Sequence, residues 1–252
     1  MIRLSVAIIT YNEARKIRDC LTSVAWADEI VVVDAFSTDE TVRVCEAFPV
    51  RVIRQAWLGF AAQKTLAIEA TSHDWVLSLD ADERVTPELR DEMTRLIKDG
   101  PAFDGYTVPR KSYFLDRWIR HGGWYPDESV RLFHKRKARV RPREVHEAVL
   151  VDGPIGRLHA PLEHYTYDSV TDYLQRMDRY STLAARDLVN EGRRFRPLDL
   201  LTHPILTFIR MYVVQQGFRD GLHGLVLAGL YAAYTFSKYA KLWELRRDNR
   251  TS

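Results

Sequence analysis

Three short apolar runs constrain the fold of this chain more than any other feature. They are Leu4-Ser-Val-Ala-Ile-Ile-Thr10, Glu29-Ile-Val-Val-Val-Asp34 and Trp75-Val-Leu-Ser-Leu-Asp80. Runs of this kind, without polar alternation, suit strands covered on both faces, as in parallel sheets. Val50-Arg-Val-Ile53 is a weaker fourth strand. Helical spacing predicts a helix over 14–26, with Ile17, Cys20, Leu21 and Val24 on one face, and another over about 60–70. Ser37-Thr-Asp-Glu40 has the form of a capping box and predicts a helix to about Ala47. Thr86-Pro87 supplies an N-cap and a first-turn proline for a helix to about Lys98. Strand and helix alternating for a hundred residues predict an α/β fold with a mostly parallel sheet.

In such sheets ligands bind beyond the carboxyl ends of the strands. At the first of these ends the chain reads Thr10-Tyr11-Asn12-Glu13-Ala14, with no glycine, which argues against a dinucleotide fingerprint. The third run ends in Asp80-Ala81-Asp82. Residues two apart on a strand share a face, so both carboxylates are expected to project together. Two hard oxygen ligands suit Mg²⁺ or Mn²⁺. The alternative is a pair of solvated acids in a strand-to-helix loop.

After Gly100 the pattern breaks into short β-like pieces at 105–109, 129–134, 146–151 and 156–159. From Asp168 it becomes helical, with Tyr173, Leu174, Met177, Tyr180 and Leu183 at helical spacing. Pro197 and Pro204 are expected to interrupt it before a second helical region from about Leu206 to Arg247. The expected division is therefore an α/β domain over 1–167, whose two parts meet near residue 100, and a helical region over 168–252. The formal net charge of +3 is unevenly spread: residues from Ser169 onward carry 13 Lys/Arg against 8 Asp/Glu. This points to an anionic surface or acceptor near the C-terminal third. Gly221 to Ser237 is apolar but falls short of the roughly 20 residues a bilayer span needs. With Tyr239, Lys241, Trp243, Arg246, Arg247 and Arg250 behind it, interfacial attachment is expected, a buried helix or oligomer contact being the alternative. Cys20 and Cys45 match neither a disulfide framework nor a metal spacing, and the N-terminal run is not a signal peptide. The active domain is expected in the cytosol.

Three motifs together, Leu4–Glu13, Glu29–Asp34 with Ser37-Thr-Asp-Glu-Thr41, and Leu77-Ser-Leu-Asp-Ala-Asp-Glu83, resemble the family 2 inverting glycosyltransferases of GT-A fold. Gly122-Gly-Trp-Tyr-Pro-Asp127, Val130-Arg-Leu-Phe133, Val145-His-Glu147 and the stretch from His164 to Tyr180 resemble one subgroup, the bacterial lipopolysaccharide inner-core β-1,4-glucosyltransferases. The resemblance implies a UDP-sugar donor, a lipopolysaccharide core heptose as acceptor, and work at the cytosolic face of the bacterial inner membrane. It implies that Asp34 contacts the uracil, that Thr10, Tyr11 and Glu13 line the nucleotide pocket, and that Asp80 and Asp82 hold a divalent cation. Asp34 has a second reading, as a cap at its strand end. Inversion needs a base for the acceptor hydroxyl. Asp127 occupies what resembles the family's acidic base position, four residues ahead of Arg131, which would pair with the diphosphate or orient the base. Glu147 is the rival, then Glu128.

Other signals have plainer readings. His146-Glu147 lacks the second histidine of a zinc-protease motif, and His146, His159 and His164 read as polar lining. The basic cluster from Lys135 to Arg143 either grips acceptor phosphates or faces water. Trp118, Trp124 and Tyr125 stack on sugars or pack a core. Two rival classes are a sugar-phosphate nucleotidyltransferase, disfavoured by the missing Gly-rich loop, and a non-catalytic membrane binder. Another cell-envelope or capsule glycan is an alternative acceptor. Nucleic acid is not expected, because the C-terminal region has no clear basic stripe.

Overall fold

The computed structural model describes residues 2–141 and 148–248, so Arg143, His146, Glu147 and Arg250 lie outside the described residues. In chain order the elements are β1 (Leu4–Thr10), α1 (Ile17–Val24), β2 (Glu29–Asp34), α2 (Thr41–Cys45), β3 (Arg51–Arg54), α3 (Phe60–Glu69), β4 (Trp75–Asp80), β5 (Glu83–Val85) and α4 (Pro87–Asp99). There follow β6 (Gly105–Phe114), β7 (Arg117–Trp118), β8 (Asp127–His134), β9 (Ala138–Val140), β10 (Val149–Val151), β11 (Ile155–Arg157) and β12 (Leu162–Tyr167). The chain ends in α5 (Val170–Asn190), α6 (Asp199–Ile209) and α7 (Gly221–Asp248).

Two compact units form, one from Met1–Arg110 with Asp127–His164, the other from Lys111–Pro126 with Tyr165–Ser252. The expected boundary at residue 167 lies close to the second crossing, and the segment from Lys111 to Pro126 groups with the C-terminal helices.

In the first unit the strands run β3-β2-β1-β4-β8-β6-β12-β5. The first four are mutually parallel, as the apolar runs predict, and β8 then enters antiparallel to β4. The sheet is mixed. Every residue of β1 is buried, because both faces are covered. On one face Val6, Ile8, Leu77 and Leu79 pack with Leu21 of α1 and with Leu89 and Met93 of α4. On the other, Ala7, Ile9, Val33 and Val76 meet Ala67 and Ile68 of α3. Truncating a fully buried side chain such as Leu79 to alanine costs about 2–5 kcal/mol. The register sets Thr10 beside Asp34 and Ile9 beside Asp80, which aligns the carboxyl ends of three strands along one edge.

Several local expectations are corrected. The first helix starts at Ile17, not Ala14. The capping box does not form: α2 begins only at Thr41, and its preceding residue Glu40 makes no side-chain cap. Ser37 Oγ instead donates to Asp34 Oδ1 at 2.5 Å, and Asp39 Oδ1 accepts from Thr41 N at 3.0 Å. The buried carboxylate of Asp34, three residues before Ser37, outcompetes the helix for the serine. Thr86 does cap α4, accepting from Leu89 N at 3.2 Å.

In the second unit α7 packs against α5 and α6. Pro204 does not interrupt α6, which runs through it; a proline forgoes one backbone donor there. The helical region expected from about Leu206 to Arg247 is made of the end of α6, a π turn at Arg210–Val214, a 3-10 turn at Gly217–Asp220 and α7. The turn lies so close to α7 that a Cβ on Gly224 would meet the Gly217 carbonyl oxygen at 1.9 Å. One aromatic core joins Phe114, Ile119, Tyr173 and Leu227, with Trp124 and Tyr231 packed on it. Among the described residues no helix is long and apolar enough to cross a membrane.

Candidate active site

Asp80 ends β4 and is followed by a turn, so strand geometry does not persist through Ala81. Asp80 is held from two sides: Oδ1 lies 2.9 Å from Lys64 Nζ of α3, and Oδ2 accepts from Arg131 of β8 at 3.2 Å. Burial raises the Asp80 carboxyl, but the Lys64 ammonium, with Arg131 and Arg110, outweighs it and holds the group well below the usual carboxylate range. Asp82 points towards His164 of β12, with Oδ2 at 3.7 Å from Nε2. Burial raises its pKa too, and His164 more than reverses this, against the opposing charge of Asp80.

Glu83 was not singled out by sequence, and it is the fully buried member of the trio. Its Oε2 accepts from the Asp80 backbone N at 2.9 Å, and its Oε1 from Arg131 at 2.5 Å. Arg110 of β6 lies 3.5 Å from the same Oε1 and donates its other terminal nitrogen to Asp127 Oδ2. Asp127 opens β8 directly opposite Arg110 in the β6–β8 ladder. Asp80, Arg131, Glu83, Arg110 and Asp127 thus form one continuous chain of charge-assisted contacts. Asp127 is 42% exposed at its side chain, whereas Glu83 is inaccessible. Glu128 pairs instead with Arg157 at 2.6 Å.

Arg131 reaches this network through an irregularity. The β6–β8 register pairs Tyr106 with Leu132 but Thr107 with Val130, so Arg131 is the extra residue of a bulge. Bulges re-aim side chains, and this one belongs to a buried arginine.

At the ends of β1 and β2, Asp34 is inaccessible and both its oxygens serve Ser37, Oδ2 accepting from the backbone N at 2.9 Å. Ser37 Oγ in turn accepts from Asn12 N, and Asn12 Oδ1 accepts from Thr38 N at 2.8 Å. Glu13 N donates to Thr41 Oγ1 at 2.8 Å. The loops after β1 and β2 are therefore laced together, with Asn12 and Phe36 in the left-handed backbone region (φ 55° and 59°). Such strain in non-glycine residues concentrates at functional sites. Tyr11, Phe36 and Trp57 stand exposed after β1, β2 and β3, and Thr10 Oγ1 is buried with no hydrogen-bond partner among the described residues. Sequence reasoning missed Phe36 and Trp57; apolar aromatics in the loops just past strand ends were the available signal.

The donor set fits a hard divalent cation completed by other ligands. Among the described residues no three His, Cys, Asp or Glu side chains are placed to hold a metal, and two carboxylates alone suit Mg²⁺ or Mn²⁺ that fill their shell with phosphate oxygens and water. Asp80, Asp82, Glu83 and Asp127 stand among Lys16, Lys64, Arg110 and Arg131, an even balance of fixed charge. A divalent cation alone would leave the site positive, and a diphosphate restores the balance.

His159 pairs with Glu92, and Lys135, Arg136 and Arg139 bind Thr71 O, Asp74 and Asp152. Trp124 packs in the aromatic core, while Trp118 lies under Arg120 and Lys111, their charges 4.2 and 4.9 Å from its ring centre. Cys20 and Cys45 are buried and free.

The model for glycosyl transferase family 2 matches residues 5–157, and the chain belongs to that family. It is 30% identical over 248 residues to the lipopolysaccharide core biosynthesis glycosyltransferase LpsC of Rhizobium meliloti, covering 96% of this chain and 92% of that one. An uncharacterised glycosyltransferase of Rickettsia typhi is likewise 30% identical, over 99% of this chain and 90% of its own length. The crystal structure of S. aureus TarS in complex with UDP-GlcNAc shares the fold at a TM-score of 0.53 and 14% identity, over 98% of this chain and 92% of that one. The chain is a family 2 glycosyltransferase of GT-A-like fold.

Proposed function

We propose that this enzyme transfers a hexose, glucose as in the subgroup it resembles, from a UDP-sugar to a heptose of the lipopolysaccharide core, inverting the anomeric carbon. The observation that carries the reading is the continuous relay from Asp80 to Asp127. It ties the group that faces the leaving diphosphate to the group that faces the acceptor. The LpsC relative supports the acceptor class, and the shared fold of TarS, solved with UDP-GlcNAc, supports the donor class. Another envelope or capsule glycan on a lipid carrier would meet the same chemistry. A lipid-borne acceptor places the enzyme at the cytosolic face of the inner membrane.

In this reading Tyr11 and Phe36 offer faces for the nucleobase, Asp34 fixes the loops that carry them through Ser37, and Thr10 and Glu13 border the nucleotide. Lys64 and Arg131 set positive charge beside the diphosphate. A divalent cation held by Asp80 and Asp82, when bound, supplies Lewis-acid stabilisation to the departing diphosphate. Asp127 takes the proton of the acceptor hydroxyl while that oxygen attacks the anomeric carbon from the face opposite the leaving group. The new glycosidic bond forms, the bond to the diphosphate breaks, UDP departs, and the proton stays on Asp127. Arg110 orients Asp127 throughout. Glu147 is the rival base.

UDP release is measured across UDP-glucose, UDP-galactose and UDP-GlcNAc, with and without a truncated lipopolysaccharide core. Acceptor-dependent release with UDP-glucose is expected. Turnover indifferent to EDTA and to alanine at both Asp80 and Asp82 would sink the cation-assisted reading.

A further inference from the structure

The second unit exposes apolar surface in a pattern that the fold does not use. On α6, Leu201, Ile205 and Ile209 recur every four residues and are 43–62% exposed, with Leu206 beside them at 60%. The surface continues past the helix in Val214 and Phe218, which are 70% and 51% exposed, and ends at Leu222 in the first turn of α7. α7, by contrast, turns Leu227, Ala228, Tyr239 and Leu242 into the unit's own cores.

Charge identifies what covers the exposed face. From Gly192 to Trp243 the only acids are Asp199 and Asp220, and both are buried. Asp199 accepts from Arg196 N at 3.0 Å, and Asp220 from His121 N at 2.8 Å. Arg193, Arg194, Arg196, Arg210 and Arg219 are exposed in the same stretch, and among the described residues none of them forms an ion pair. Unpaired arginines around an apolar helix face, with no exposed acid in that stretch, complement a surface that is apolar within and anionic at its rim. A two-fold contact with a second copy would press like charges together. A bilayer carrying acidic headgroups takes up both features, the helix lying about 5–10 Å deep in the interface.

We propose that α6 and the turns leading into α7, rather than α7 and the basic tail, are the surface by which this enzyme docks on an anionic phospholipid bilayer. The proposal deepens the reading of a lipid-borne acceptor and is tested apart from it. Full-length protein is sedimented with vesicles of pure phosphatidylcholine or of phosphatidylcholine with phosphatidylglycerol. Wild type is expected on the anionic vesicles and not on the neutral ones. Arg210→Glu with Arg219→Glu should weaken binding at least about 25-fold, since each basic residue near such a surface contributes about fivefold. Leu201→Glu with Ile205→Glu should weaken it by about tenfold or more. Phe236→Ser with Trp243→Ser, on exposed positions of α7, should leave it unchanged. Thermal melting and vesicle-free UDP release check that each variant is folded, and UDP release reports separately on the catalytic reading. The proposal is overturned if wild type ignores anionic vesicles, or if the α6 variants bind as wild type does. It is also overturned if the α7 variant loses binding as they should. Light scattering that shows a wild-type dimer dissociated by Leu201→Glu with Ile205→Glu, without vesicle binding, overturns it in favour of a self-interface.

Discussion

In the first unit Glu83 is fully buried between two arginines, whereas in the second Leu222 stands 71% exposed. One region takes charge out of water and the other leaves hydrocarbon in it. Both are unfavourable for an isolated fold. A desolvated carboxylate costs several kcal/mol unless its partners are well placed, and exposed apolar patches of this kind mark contact surfaces. On the proposed readings, chemistry accounts for the first departure and membrane attachment for the second. Folding requires neither.

The comparison is broken or sharpened by substitutions in each unit. The largest effect is expected from Asp80→Ala and Asp82→Ala, each lowering UDP-sugar turnover by about a thousandfold. Asp80→Ala also takes a carboxylate from beside Lys64 and Arg131 and lowers stability by about 1–3 kcal/mol, read from urea midpoints. Next comes Asp127→Asn, with kcat reduced by about 10²–10⁴-fold and the KM for donor little changed. Arg110→Lys, which keeps charge but loses the two-armed reach to Glu83 and Asp127, should fall between that variant and wild type. Gly224→Ala belongs to the other unit. Its Cβ has no room beside Gly217, so a loss of about 1–3 kcal/mol is expected in thermal melts, with donor turnover per folded molecule unchanged. If Gly224→Ala instead abolished turnover as Asp80→Ala does, the division of labour would be wrong.

The smallest effect concerns pH. The Asp80 carboxyl titrates lower in the folded protein than the value of about 3.9 of an unfolded chain. The unfolded state therefore binds more protons between those two values. The stability this contributes is present above about pH 4 and is lost as pH falls towards the folded-state value. Asp80→Asn removes the titration, so the gap between wild-type and variant urea midpoints should narrow from about pH 6 to about pH 3.

Much of the first unit was legible because its strands are covered on both faces. The β-branched runs leave no other reading, and the carboxyl-end rule then brings Thr10, Asp34 and Asp80 to one edge. The capping box misled because sequence spacing does not reveal that Asp34 is buried and competes for Ser37. Lys64, Glu83 and Arg110 were not legible at all. A lysine in an amphipathic helix, a third acid in a loop and an arginine in a strand look the same whether solvated or buried, and only the tertiary fold pairs them. The apolar face of α6 was hidden by Pro204, which argued for a break where a helix continues.

The bulge at Arg131 carries a consequence for anyone redesigning this scaffold. A regular β6–β8 ladder is the straighter and more easily stabilised backbone, and deleting Arg131 is the obvious way to obtain it. That deletion would leave Asp127 opposite Arg110 but would remove the arginine that links Asp80 to Glu83. Smoothing the sheet and keeping the enzyme are competing aims at this one residue.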